Sequence, residues 1–156
     1  MTERTSDESL KHGLDLSGLT AWGLAKRLNI PFYSVKHLLK PGKKPHASRF
    51  DALMDALGFD LIVCKRSGTS EEWVMRDNAP GALGFTESLR RAKEESMLTY
   101  EQMAVLAGKK SGEQSWRSAT ISNPSLPAVL TYLAVMGYDV DVASRTDPHE
   151  RWRLVL

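Results

Sequence analysis

Apolar positions along this chain fall into helical spacing several times and then switch to strict alternation, and the whole pattern occurs twice. Leu24, Ala25 and Leu28 form one side of a helix that Thr20 is suited to cap and Asn29 to end. A shorter helix precedes it, starting at Ser6 or Ser9 and running to about Gly13. Pro31 suits the first position of a third helix, with Val35, Leu38 and Leu39 inward and the sequence PGKK as its stop. Phe50, Leu53, Met54 and Leu57 stand at i, i+3, i+4 and i+7 in a fourth helix closed by Gly58. Beyond that glycine the period becomes two: Phe59, Leu61 and Val63 alternate with Asp60, which predicts a strand. A polar turn and the segment EEWVMR then predict a return strand.

The second occurrence is a repeat in the strict sense. A shift of 79 positions aligns residues 8–76 with 87–155 without a gap, with 14 identities in 69 positions. Val129, Tyr132, Leu133 and Met136 reproduce the fourth helix before Gly137, and Tyr138, Val140 and Val142 reproduce the strand. The predicted fold class is therefore mainly α with small β (α+β). Four parts follow: a flexible tail over 1–7, a first unit over 8–76, a linker over 77–86 and a second unit over 87–156. A lone hairpin is marginal in water, so both hairpins are expected to join one sheet, within the chain or between chains. Trp73 and Trp152, at equivalent places, are read as sheet-core anchors rather than ligand binders.

Composition narrows the function classes. With 156 residues and 42% hydrophobic content the chain can bury a core. It has no apolar run long enough for a membrane span, and its polar start does not read as a signal peptide, so a cytoplasmic protein is expected. Cys64, the one cysteine, fits a reducing compartment and reads as a small core or sheet-face residue. His12, His37, His46 and His149 show no metal-ligand spacing, GALGF lacks a phosphate-loop setting, and no nucleophile and base are paired. Neither a cofactor nor an enzymatic activity is expected.

The net charge of +2 says little, but its distribution says more. Between Asp15 and Asp51 lie 35 residues without an acid and with seven bases: Lys26, Arg27, Lys36, Lys40, Lys43, Lys44 and Arg49. Such a span either faces phosphates or is a solvated cationic face. Residues 8–66 carry ten Lys and Arg against five acids, whereas residues 87–145 carry seven of each. The repeats have diverged in charge.

Thr20, Leu24, Ala25, Asn29 and Pro45, matched by Thr99, Met103, Ala104, Gly108 and Pro124, resemble the helix-turn-helix of the Cro and phage-repressor (XRE-like) family. The resemblance implies two tandem helix-turn-helix units, each followed by a β-hairpin, and a transcriptional repressor or autoregulator that binds double-stranded DNA. Carried over position by position, it puts base reading on Phe32, Tyr33 and His37 with Lys36 beside them, and phosphate contact on Lys26, Lys40, Lys43, Lys44 and Arg49. Phe32 and Tyr33 also have a competing reading, as packing against the second helix or a partner subunit. In the second unit Lys109, Lys110, Ser111, Ser115 and Arg117 are the possible DNA contacts. There Gln114 stands at the position that the resemblance implies is buried and that Val35 fills in the first unit, with Arg117 three places on and an exposed-looking Trp116 between, so reduced or altered DNA contact is expected. Paired hairpins would give a homodimer or an intrachain pseudo-dimer. The alternative is a protein-interaction module of the antitoxin or phage anti-defence kind, whose partner is a toxin or a defence complex.

Overall fold

Four helix starts in this chain are set by the capping side chains Thr5, Thr20, Thr99 and Ser125. Thr5 accepts the Glu8 N–H, while the Glu8 carboxylate accepts the Thr5 N–H at 3.0 Å, a reciprocal box that opens α1 (Ser6–Ser17). Thr20 accepts the Gly23 N–H at 3.0 Å to open α2 (Ala21–Leu28), and α3 (Phe32–Leu38) starts directly after Pro31. In the computed structural model, which describes residues 1–67, 71–76, 79–109, 114, 116–117 and 123–156, these are followed by α4 (Ala47–Ala56), β2 (Phe59–Lys65) and β3 (Glu72–Val74), with β1 (Glu3–Arg4) ahead of them all. The second half supplies α5 (Phe85–Ser96), α6 (Tyr100–Ala107), α7 (Leu126–Val135), β4 (Tyr138–Ser144) and β5 (Arg151–Leu154). Gln114, Trp116 and Arg117 are helical as well. The described residues form an α+β fold of seven helices and one mixed five-stranded sheet.

The sheet order is β1-β5-β4-β2-β3. At its centre β2 and β4 run antiparallel, with Phe59 opposite Ser144, Ile62 opposite Asp141 and Lys65 opposite Tyr138. Ile62 and Asp141 are themselves 79 residues apart, so the pairing is symmetric about their bridge. The same displacement relates the β2–β3 register, where Val63 meets Trp73, to the β4–β5 register, where Val142 meets Trp152. Gly58 and Gly137 turn each fourth helix into its strand at φ of 94° and 91°, a conformation that disfavours any residue with a Cβ. The two hairpins thus join one sheet within the chain, as the sequence suggests.

One sheet face carries the core. Phe59, Leu61, Val63, Tyr138, Val140, Val142 and Trp152 are buried under the helices, against Leu53, Met54, Leu89, Val129 and Leu133. The repeats cross over to make it. The Trp152 indole N–H donates to Ser9 of α1 at 2.8 Å, and the Trp73 indole N–H donates to Ser88 of α5 at 2.9 Å. Each hairpin therefore covers the first helix of the other repeat. Phe59 against Trp152 and Trp73 against Tyr138 repeat the exchange, with ring centroids 5.3 and 5.5 Å apart. Both tryptophans are core, as their equivalent positions suggest.

Three expectations about boundaries change. Residues 1–7 are not a free tail: Glu3 and Arg4 pair in parallel with Arg153 and Leu154, and Thr5 caps α1. The linker expected over 77–86 is in part the same element repeated, because Leu83 bridges Met75 in parallel and Phe85 opens α5. The first helix runs four residues past Gly13, to Ser17.

Candidate nucleic-acid interface

Burial of Leu24 and Ala25 turns Trp22, Lys26 and Arg27 of α2 outward, and burial of Val35 does the same for Phe32, Tyr33 and Lys36 of α3. The turn between these helices is held by Asn29 at φ 54°, whose N–H reaches the Lys26 carbonyl at 3.2 Å, and by the Ile30 N–H on the Ala25 carbonyl at 3.0 Å. Leu38 and Leu39 pack half-buried against the core, which fixes the start of the loop carrying Lys40, Lys43 and Lys44, all exposed. Arg49, also exposed, follows on α4. The sequence-predicted base and phosphate residues of the first repeat thus all reach its surface, with His37 half-buried. A groove of about 300 Å³ runs through it, lined by Tyr33, His37, Lys43, Lys44, His46 and Arg49.

The second repeat braces this surface. The Ala47 N–H donates to the Pro124 carbonyl at 2.9 Å and the Leu126 N–H to the Pro45 carbonyl at 2.8 Å, a second pair of bonds related by the 79-residue shift. Ser48 donates to the Asn123 side chain at 2.7 Å, and His46 Nδ1 lies 3.1 Å from the Asn123 carbonyl oxygen. The basic loop is therefore anchored at its far end by residues from the other half of the molecule.

The charges of the sheet and of this surface are treated differently. Arg153 holds Asp139 at 2.8 Å and Asp141 at 2.6 Å, Arg151 holds Asp141 and Glu72, and Arg145 holds Asp60. Arg76 reaches Asp51, Asp55 and Asp60, and Arg66 reaches Asp139. The hydrogen bond from Arg66, with Arg153 adding to it, holds the Asp139 carboxyl below its ordinary range. By contrast none of Lys26, Arg27, Lys36, Lys40, Lys43, Lys44 or Arg49 makes an ion pair among the described residues; Arg27 donates to the Ala56 carbonyl at 3.2 Å. Seven exposed cations without an ion-pair partner among the described residues give the first repeat a positive surface potential.

The aromatics resolve into two arrangements. Phe32 leans on Trp22 with ring centroids 5.5 Å apart, and Lys36 Nζ sits 6.0 Å from the Phe32 ring. Tyr33 stacks loosely on His37 at 5.7 Å. Phe32 is 36% exposed, Tyr33 67% and Trp22 66%, so Phe32 packs on the second helix and still reaches solvent. Trp22 was not among the predicted site residues. Its signal was its place two residues before Leu24, off the apolar stripe, on a helix whose other outward residues are Lys26 and Arg27.

In the second repeat Lys109 and Arg117 are exposed, whereas Lys110, Ser111 and Ser115 lie outside the described residues. Trp116 is buried rather than exposed. It packs edge-on against Tyr132 at 5.7 Å and beside Tyr100 at 6.2 Å, while Gln114 faces solvent. The buried residue of this segment is thus Trp116, the repeat equivalent of His37, and not Gln114, the equivalent of Val35. Val105 and Leu106 stand where the first repeat has Lys26 and Arg27, and both are exposed.

Cys64 lies on the outer sheet face, with Arg151 Nη2 3.1 Å and Asp141 Oδ2 3.6 Å from its sulfur. Burial, reinforced by the Asp141 charge, pushes its thiol up to about 11, so it stays protonated at neutral pH and is a poor nucleophile. No helix among the described residues is long and apolar enough to cross a membrane. Comparison with protein-family models, with curated proteins and with solved structures finds no match.

Proposed function

We propose that this chain is a double-stranded-DNA-binding regulator of the helix-turn-helix kind, built as an intrachain pseudo-dimer in which the first repeat dominates DNA contact. The supporting observation is the electrostatic contrast: seven cations on α2, α3, the loop after it and α4 have no carboxylate partner among the described residues, while Arg151 and Arg153 of the sheet and Arg66, Arg76 and Arg145 beside it lie in ion pairs. In this reading α3 enters the major groove with Phe32, Tyr33, Lys36 and His37 toward base edges. Lys26, Lys40, Lys43, Lys44 and Arg49 hold phosphates and set register without reading sequence. Asn123 and Pro124 keep the basic loop in place at the join between the repeats. The role is binding rather than catalysis, as a repressor or autoregulator.

The test is duplex binding measured by fluorescence anisotropy over a series of salt concentrations. Lys43→Ala and Lys44→Ala should each weaken binding to every duplex similarly and reduce the log–log salt slope by about one. An unchanged slope removes these residues from the interface. The exposed apolar side of α6 favours a second reading, a protein-interaction module whose partner is a toxin or a defence complex. In that case duplex binding is weak and independent of both lysines.

A further inference from the structure

The repeat creates two equivalent joins between the halves, and they are closed differently. At one, Ser48 of α4 donates to the Asn123 side chain at 2.7 Å, Arg76 reaches Asp51 at 3.5 Å and Asp55 at 3.3 Å, and Phe85 at the start of α5 is buried, 2% exposed. At the other, the residues 79 positions away cannot do the same. Pro127 stands for Ser48 and Lys44 for Asn123, Leu130 for Asp51 and Ala134 for Asp55, Val155 for Arg76 and Ser6 for Phe85. The polar closure and the aromatic plug are both gone. A recess of about 360 Å³ is left there, with Ser6, Lys43, Lys44, Pro127, Leu130 and Val155 in its lining. This volume lies in the range of small-molecule sites.

The missing plug and the spare charge say what fits. Where the second repeat has the benzyl group of Phe85, Ser6 has a hydroxymethyl group, and the neighbouring walls from α7 and the chain after β5 are apolar. An apolar space of this kind takes up an aromatic ring. Lys43 and Lys44 are exposed and make no ion pair among the described residues. Asp7 is the acidic side chain in the lining, and it accepts the Thr5 hydroxyl at 2.8 Å, so two bases stand against one acid. The ligand that complements both features carries a carboxylate on a short arm from its ring.

We propose that this recess binds a small aromatic carboxylic acid, with its ring beside Ser6, Leu130 and Val155 and its carboxylate on Lys43 and Lys44. The site does not rest on the DNA-binding reading. Lys43 and Lys44 also line the groove beside Tyr33 and Arg49, so a bound carboxylate and a phosphate draw on the same two ammonium groups.

Isothermal titration calorimetry of the full chain without DNA, with hydrocinnamate as the probe, tests the site. Saturable binding of one molecule per chain is expected, and the neutral hydrocinnamyl alcohol should bind about tenfold more weakly, the worth of one charge-assisted hydrogen bond. Lys43→Ala/Lys44→Ala should bring the acid down to the level of the alcohol and leave the alcohol unchanged. Ser6→Phe, which restores the plug of the other join, should abolish binding of both with a thermal melt no lower than that of the unaltered protein. Val155→Phe narrows the recess from the opposite side and should abolish it too. Absence of saturable hydrocinnamate binding overturns the proposal, as does acid binding that only equals the alcohol's or that survives either filling variant.

Discussion

Phe32 and Tyr33 sit on the first turn of α3, one leaning on Trp22 and the other on His37, and both keep a solvent-facing edge. In the proposed DNA-binding reading, large aromatics held this way among cations make apolar contact with thymine methyl groups. Phe32→Ala and Tyr33→Ala should therefore change which base is preferred more than they change the salt slope, and Trp22→Ala should follow Phe32→Ala because it removes the ledge on which that ring rests. Binding to matched duplexes that differ at single base pairs, measured at two salt concentrations, separates the two effects. A loss of thermal stability with base preference intact would instead make these rings packing residues. Their exposure was legible in the sequence: with Leu24, Ala25 and Val35 inward, the cations and aromatics of the acid-free span from Asp15 to Asp51 are left to the surface. Trp22 escaped because local periodicity says where a side chain points away from the core, and nothing local says which distant side chain it will meet. Trp116 escaped for a related reason, since its burial depends on Tyr100 and Tyr132 from two other helices.

Each second strand and the first helix of the opposite repeat form the element-scale unit of this fold. Trp152 on β5 donates to Ser9 on α1, and Trp73 on β3 donates to Ser88 on α5; both serines are fully buried. His12 Nε2 lies 3.1 Å from the Glu150 carboxylate beside the first of these sites, and Arg91 pairs with Glu71 beside the second, again 79 positions apart. Removing either serine hydroxyl leaves an indole N–H buried without its partner, which costs about 1–3 kcal/mol. Ser9→Ala and Ser88→Ala should give losses of this size, similar to each other in denaturant unfolding. A cost at only one of the two sites would break the equivalence. Helix spacing predicted α2, α3 and α4 and alternation predicted β2, whereas the first helix was expected to stop near Gly13. Neither pattern identifies which helix a hairpin covers, because the same buried face of Trp73 suits α1 or α5. The role of Glu3 and Arg4 was hidden too: two residues of strand are too few to show a period.

At the scale of the whole molecule, the two repeats are one interlocked body, since neither contains the tryptophan that closes its own first helix. A chain limited to residues 1–79 keeps Ser9 but loses Trp152 and β5, and it offers an unpaired β2 edge with Ile62 at its centre. A second copy of the same fragment restores each missing part, because Trp73 is the repeat equivalent of Trp152. This fragment should be a homodimer whose melting temperature rises with protein concentration. A monomer with a cooperative, concentration-independent melt would show two independent domains instead. Fusion of the halves frees each to diverge, and the exchange of Lys26 and Arg27 for Val105 and Leu106 is the clearest product of that freedom. Repeated selection of the full chain on a random duplex pool tests most directly whether the basic surface of the first repeat recognises duplex DNA in a sequence-dependent way. Enrichment of a defined asymmetric site or single half-site, lost when Lys43 and Lys44 are both replaced by alanine, is the result predicted. A pool that stays random, with no salt-sensitive retention of DNA by the unaltered protein, would contradict it.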